Sequence, residues 1–553
     1  MSPAPELPAI ELPAAVDRRR RRAAALTVVA CAALVVVPLV PGALGATGPR
    51  ALIGLPAESL AVLLLLVAVA RPSLRVAAAA VFAVVVVAAT VVAILDAAFV
   101  STVDRPFNPA EDGGALAAAS GVVADVMGPL GAASVLAVVG ALVVLAAVAM
   151  TRAALRVGSG FRDAGRCGRI ALAAVASVWI VCSVSEAQVV PGVPMAASRT
   201  GAALVQTSAL AVASQREQAA FERELASDSL ANVPPGDLLT ALEGKSVTVV
   251  FVESYGRAAV EPTDFTDGIA RVLAVGESGL ARRGYAAQSA FLTSPTFGGE
   301  SWLAHATLQS GVWVDSQRKY GLLLSQDRLT LTGAFETAGW YTMAVVPSNT
   351  RAWEAGESFY GFDAVLDARN MGYRGPPFGY ARMPDQYTWK AFREHATAVG
   401  SAPVMAEIDL VSSHTPWTPL PRLVPWDELG DGSVFEPQAS QGEAAVVAWS
   451  DADRAKELYA DSVEYTLGAM FSYLETFDQG DAVFVVVGDH QPARIVSGPD
   501  AGNDVPVSII AADPAVLESI ASWGWEDGVR PSAAAPVWRM DEFRDRFVDA
   551  FSR

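Results

Sequence analysis

The stretch Val247-Thr248-Val249-Val250-Phe251-Val252-Glu253 decides how this chain is read. Six apolar or β-branched residues run without interruption and end on a carboxylate. An unbroken run of this length suits a strand buried on both faces, the habit of a parallel sheet. Ala482–Val487 is a second such run, followed by Gly488-Asp489-His490. Ligands of open parallel sheets sit beyond the carboxyl ends of the strands. Glu253, Asp489 and His490 are therefore expected to meet at one edge of one sheet.

Working outward, apolar runs alternate with helical patterns from Leu238 onward. Strands are expected at Val247–Val252, Tyr341–Val346, Val404–Val411, Ala482–Val487 and Val505–Ala511. Helices are expected at Thr266–Arg283, Trp302–Gln309, Leu329–Ala338, Tyr387–Ala398 and Asp453–Thr476. This alternation implies an α/β sandwich around a mostly parallel sheet.

Two further segments carry reactive residue types. Phe297-Gly298-Gly299-Glu300-Ser301-Trp302 places Ser301 at a helix start after two glycines. Free backbone N–H groups there can hold a phosphate oxygen. Val411-Ser412-Ser413-His414-Thr415-Pro416-Trp417 places His414 just beyond a strand. Two carboxylates, an imidazole and a hydroxyl make a divalent-metal site with an activated alcohol. Thr296 competes with Ser301 as the alcohol, because it too has Glu300 nearby, four residues on. The chain holds four histidines. His305 and His395 fall inside helical patterns and read as structural or surface residues.

The first ~190 residues have another composition, rich in Ala, Val and Leu. Five spans are expected there by length and hydrophobicity: Ala23–Ala46, Ala51–Ala70, Val76–Val100, Pro129–Met150 and Ile170–Val189. Arg18 to Arg22 precede the first span, Arg71 and Arg75 follow the second, and Arg152, Arg156, Arg162, Arg166 and Arg169 precede the fifth. The loop 101–128 carries Asp104, Glu111, Asp112 and Asp125 instead. Positive residues mark the cytoplasmic side. The expected layout is a cytoplasmic basic tail at 1–22, a five-helix membrane domain at 23–189, a juxtamembrane helix and linker at 190–236, and an extracytoplasmic domain at 237–553. A cleaved signal peptide is the rival reading of the N-terminus, but four further spans do not require it. Five spans, where one would anchor the chain, suggest handling of a lipid-linked substrate or assembly with partners.

The net charge of −18 excludes the basic face of a nucleic-acid binder. The three cysteines, Cys31, Cys167 and Cys182, all precede the outer domain, which therefore has no disulfide. That domain also lacks Cys-x-Pro-x-Arg, the formylglycine signature of the familiar sulfatases.

The segments around Glu253, Ser301, His414 and Asp489-His490 together resemble the sulfatase-like branch of the alkaline phosphatase superfamily. Membrane phosphoglycerol transferases of the lipoteichoic acid synthase type are the nearest in pattern. The resemblance covers roughly Leu238 to Asp549. It implies a manganese-like ion on Glu253, Asp489, His490 and the nucleophile Ser301, with Mg2+, Zn2+ and Ca2+ as alternatives. It implies that His414 contacts the substrate phosphate. Relatives carry an Arg and a Trp that hold the anionic substrate, making Arg351 and Trp353 the candidates; Trp417 is a candidate wall of the pocket. The family's nucleophile is usually Thr, so Ser301 is a departure. The implied function moves a phospho-alcohol group from a lipid or lipid-linked phosphodiester to an envelope glycan or lipid at the plasma membrane. The alternatives are a phosphodiesterase or sulfuric-ester hydrolase on the same site, and a catalytically degenerate membrane protein.

Overall fold

The computed structural model describes residues 14–45, 48–477 and 480–553. Residues 1–13 of the expected basic tail, and Ala46 at the end of the first expected span, lie outside the described residues. The chain divides into two units, one of residues 1–100 and 105–215, the other of residues 101–104 and 216–553.

The first unit contains α1 (Ala14–Val36), α2 (Ala57–Ala68), α3 (Pro72–Val103), α4 (Gly113–Asp163), α5 (Gly165–Val184) and most of α6 (Arg199–Leu225). Among the described residues, four helical stretches are long and apolar enough to cross a membrane: Arg20–Leu44, Pro72–Val103, Met127–Asp163 and Gly165–Val184. The second expected span differs. Its helix, α2, has 12 residues, about 18 Å at 1.5 Å per residue against a hydrocarbon core of about 30 Å. The cause is local: Leu55 and Pro56 are drawn into a short parallel pairing with Ala196 and Ala197, and the chain leaves the helix just ahead of Pro72. Within α4 the backbone breaks at Gly128, whose φ of 77° lies outside the helical region, and Pro129 starts the helix anew. Small and apolar residues from several of these helices pack together, among them Leu34, Leu66, Ala83, Val86 and Ala154. Large apolar side chains also face outward, Leu136, Leu142 and Leu145 being 60%, 59% and 62% exposed. A surface this apolar suits lipid rather than water.

The second unit is built on one mixed sheet. Its strands are β1 (Val247–Val252), β2 (Ala286–Thr293), β3 (Tyr341–Val346), β4 (Ala364–Asp367), β5 (Val404–Leu410), β6 (Val483–Gly488), β7 (Asp504–Ala511), β8 (Glu526–Asp527) and β9 (Val537–Arg539). The order across the sheet is β8-β2-β7-β6-β1-β5-β3-β4, with β9 beside β2. The run from β6 to β4 is parallel, β7 is antiparallel to both β6 and β2, and β2 is antiparallel to β8 but parallel to β9. All five expected strands form. β2 was not expected, because Gln288 and Ser289 interrupt its apolar run.

Helices cover both faces. α7 (Asp267–Arg282), α10 (Asp385–Val399) and α11 (Ala452–Thr476) pack on Val250, Val252, Phe484 and Val486. On the other face α8 (Ser301–Ser310), α9 (Leu331–Thr337) and α12 (Phe543–Phe551) pack on Val247, Val249, Phe251, Val483 and Val485. This double burial explains why β1 and β6 read as unbroken apolar runs. Phe221 and Leu225, at the end of α6, pack against Leu303 and Ala306 of α8.

Candidate active site

β6, β1 and β5 are adjacent and parallel, so their carboxyl ends lie at one edge of the sheet. Glu253 follows β1, and its N–H donates to Leu410 O of β5 at 3.0 Å. Asp489 and His490 follow β6. The strand ends approach closely: a Cβ at Gly488 would collide with the carbonyl of Tyr255, so glycine is required there.

Each donor is oriented by its neighbours. Asp489 Oδ1 accepts the N–H groups of Ser254 and His490, both at 2.7 Å, which leaves Oδ2 for other work. His490 Nδ1 lies 2.9 Å from Gln491 O. A carbonyl only accepts, so Nδ1 carries the proton and Nε2 presents its lone pair. Glu253 Oε1 accepts the Ser254 hydroxyl at 2.8 Å. The Ser413 hydroxyl holds the Glu253 carbonyl at 2.6 Å, and the Tyr459 hydroxyl holds the Ser254 carbonyl at 2.8 Å.

These donors converge. Ser301 Oγ is 3.1 Å from Glu253 Oε2 and 3.2 Å from His490 Nε2. His490 Nε2 is 3.5 Å from both Glu253 Oε1 and Asp489 Oδ2. Two donors each about 2.1 Å from one tetrahedral ion lie roughly 3.4 Å apart, so the set fits a divalent ion without rearrangement. One donor atom each from Glu253, Asp489 and His490 falls within 4.8 Å of the others. The titration behaviour agrees. Burial would raise the Glu253 carboxyl, but His414, His490 and the Ser254 hydroxyl hold it well below the usual carboxylate range. Burial and the Glu253 charge push Asp489 upward. Two facing buried carboxylates share a deficit of positive charge that a dication supplies.

Ser301 is the first residue of α8, and Glu300 before it adopts the left-handed conformation at φ 62°. Ser254 and Trp417 also have positive φ, 56° and 62°. Strained non-glycine residues thus flank three of the four motifs. Thr296 is buried, its hydroxyl 3.4 Å from that of Ser294, which in turn donates to the Asp489 carbonyl.

His414 is half-buried at the same edge, its Nδ1–H donating to Thr415 O at 2.7 Å and its ring stacked on Tyr380 at 3.8 Å. Arg351 is exposed on the loop after β3, again at the carboxyl edge. Trp353 packs against Tyr360 and Phe362. Trp417 does not wall an open pocket. It is 1% exposed, stacks on Trp449, and donates its indole N–H to Ser413 O; its apolar ring is more stable in the core than at the rim of a polar site.

Sequence reasoning missed the residues that hold the ligands. Ser254 and Ser413 adjoin Glu253 and His414 and were legible as neighbours. Tyr459, on α11, carried no signal. Asp385 was missed as well: its carboxylate accepts the N–H groups of Val411 and Ser412 at 2.9 and 3.1 Å and the Thr466 hydroxyl at 2.7 Å, anchoring the segment that leads to His414. His395 behaves as expected, with Nδ1 on Ala391 O of its own helix. His305 does not. It stands beside Glu407 and Asp409; burial would lower it, yet these carboxylates lift it to about 9.

No protein-family model and no curated protein matches the chain. Solved structures do resemble it. The lipoteichoic acid synthase LtaP from Listeria monocytogenes is 15% identical at a TM-score of 0.34, over 52% of this chain and 70% of that one. The phosphoglycerol transferase GacH from Streptococcus pyogenes, in complex with sn-glycerol-1-phosphate, is 13% identical at 0.36, over 60% and 90%. The integral membrane lipooligosaccharide phosphoethanolamine transferase A (EptA) from Neisseria meningitidis is 11% identical at 0.46, over 96% of both chains. These proteins are of the kind that the motifs resemble. At TM-scores below 0.5 the likeness transfers no residue and no activity, and the chemistry rests on the site's own geometry.

Proposed function

We propose that this chain is a membrane-bound, metal-dependent phosphotransferase. It moves a phospho-alcohol group, such as phosphoglycerol, from a lipid donor to an envelope glycan or lipid through a covalent phospho-Ser301 intermediate. The observation that carries this reading is the convergence of Ser301 Oγ, Glu253 and His490 Nε2 at 3.1–3.5 Å, with Asp489 Oδ2 beside them. The apolar helices support a substrate drawn from the bilayer, and the motif resemblance supports the reaction class.

Glu253, Asp489, His490 and Ser301 would hold a divalent ion, which when bound would supply the positive charge that lowers the hydroxyl's pKa and stabilises phosphoryl oxygens in the transition state. Imidazole with carboxylates suits Mn2+ or Zn2+ better than Ca2+, which prefers six to eight oxygens. Ser301 attacks phosphorus as the alkoxide, its proton released to water. The P–Oγ bond forms, the bond from phosphorus to the diacylglycerol oxygen breaks, and that oxygen takes the Nε2 proton of His414 in its doubly protonated, imidazolium form. The acceptor hydroxyl then attacks phosphorus, returns a proton to His414, and displaces Ser301. Backbone N–H groups at the start of α8 hold a phosphate oxygen throughout, and Arg351 steadies the anionic donor. The N-terminus is cytoplasmic and the catalytic unit extracytoplasmic.

Incubation with a head-group-labelled phospholipid tests the reading. Transfer predicts label on a glycan or lipid acceptor, dependent on Ser301. Free head group as the sole product shifts the reading to a phosphodiesterase, and no Ser301-dependent product rejects it.

A further inference from the structure

Three metal-ligating side chains outside the Ser301 cluster meet where α8 covers β5. His305 lies one helical turn beyond Ser301, and Glu407 and Asp409 are alternate residues of β5. His305 Nδ1 is 3.3 Å from Glu407 Oε1 and 3.6 Å from Asp409 Oδ1, and one donor atom from each of the three falls within 4.8 Å of the others. Stacking on Phe251, with centroids 3.7 Å apart and planes at 12°, fixes the His305 ring. Glu407 is 3% exposed, and its other oxygen accepts the Gln309 amide. Asp409 Oδ1 is shut off from solvent and accepts no hydrogen bond.

The setting is costly for bare carboxylates. β5 is a central strand between β1 and β3. On the face where β1 presents Val249 and Phe251, β5 presents Glu407 and Asp409 in register beside them. Buried charges persist only when paired or bound to a metal. The 3.3 and 3.6 Å spacings exceed the usual ~2.9 Å of an N–H···O hydrogen bond. They match the roughly 3.4 Å between two donors on a tetrahedral ion, as in the Ser301 cluster.

We infer that His305, Glu407 and Asp409 form a second divalent-cation site, of the one-imidazole, two-carboxylate type that suits Mn2+ or Zn2+. It shares no residue with the Glu253 site, so ion binding there goes beyond the proposed function and stands or falls separately, while its role rests on that function. Its role is electrostatic. Glu253, Asp489, Glu407 and Asp409 together repel a phosphodiester. One dication leaves two of these charges unbalanced; a second neutralises the floor beneath Ser301 before the substrate phosphate arrives. The competing arrangement is a protonated His305 bridging the two carboxylates with no ion.

Equilibrium dialysis of the chelator-stripped full-length chain in detergent against Mn2+, read by elemental analysis of metal per chain, decides between them. The expected result is two ions for the wild type, one for His305→Gln, one for Asp409→Asn and one for Glu253→Gln. A single wild-type ion that only Glu253→Gln removes overturns the second site, as does retention of two ions in both His305→Gln and Asp409→Asn. A single ion removed by His305→Gln but not by Glu253→Gln upholds this site and refutes the Glu253 site. Should the variants fail to fold, the wild-type stoichiometry still separates one ion from two.

Discussion

The two donor clusters of the second unit hang from neighbouring strands yet differ in kind. The Ser301 cluster is assembled from residues just past the ends of β1 and β6, where backbone turns aim each side chain: Asp489 Oδ1 takes two backbone N–H groups, and Gln491 O fixes the His490 tautomer. The His305 cluster is assembled within β5 and under a helix. Strand ends offer spare backbone donors and open space for substrate; a strand interior offers burial. The first position suits bond-making, and the second suits tuning the charge around it.

The largest expected effect tests that division. Ser301→Ala should lower turnover by roughly 10^3-fold or more, since it removes the covalent step, while Thr296→Ala should stay within about tenfold. Mass spectrometry of the trapped intermediate should find the phosphoryl group on Ser301. Phosphorylated Thr296 would move the nucleophile, and full activity in both variants would end the covalent mechanism.

A smaller effect is expected one layer out. Ser254→Ala deletes the hydroxyl on Glu253 Oε1, and losses of this type cost about 10–100-fold in metal affinity. Dialysis against graded Mn2+ should show weaker binding at the Glu253 site alone; equal weakening at the His305 site would mean that the clusters are not separate units.

Asp385 lies between the clusters in its effect, pinning Val411 and Ser412 on the way from Asp409 to His414. Burial pushes its carboxyl up to about 6 despite opposing donors, Thr466 and Ser412 foremost. Its folded value exceeds its unfolded value near 3.9. Its stabilising contribution is therefore complete below the unfolded value and lost as pH rises through about 6, a change on the order of 2–3 kcal/mol. Denaturant unfolding at pH 4 to 7 should show this slope flattened in Asp385→Asn. An unchanged slope would assign the pH dependence elsewhere.

The smallest effect is expected at Tyr459→Phe. It leaves the buried Ser254 carbonyl without its hydroxyl partner, for about 1–1.5 kcal/mol of stability. A markedly larger loss would show that the turn after Glu253 depends on α11 more than on β6.

The sheet was legible in the chain because β1 and β6 are buried on both faces, and such strands need no partner's sequence to be recognised. The Ser301 cluster was legible because its members adjoin those runs. Glu407 and Asp409 were not, since alternation with Ala406 and Ile408 reads as a half-exposed strand; only the packing of α8 over β5 buries Glu407 and covers Asp409 in part. His305 was hidden by the same tertiary contact. Trp417 misled because proximity to His414 in sequence says nothing about which way a residue at φ 62° turns its ring. The shortening of the second expected span was illegible because Leu55 and Pro56, just ahead of its helix, are claimed by Ala196 and Ala197, some 140 positions later.

The pairing of β1 with β5 carries one more consequence. Phe251 stands beside Asp409, Val252 beside Leu410, and the Glu253 N–H beyond them binds Leu410 O. A single register thus places Glu253 in one cluster and Asp409 in the other. Deleting one residue from β5 would turn Glu407 and Asp409 to the opposite face and shift the stretch that carries His414. Length change is therefore intolerable within Val404–Leu410, so that the count of residues in one strand acts as the common ruler for both sites.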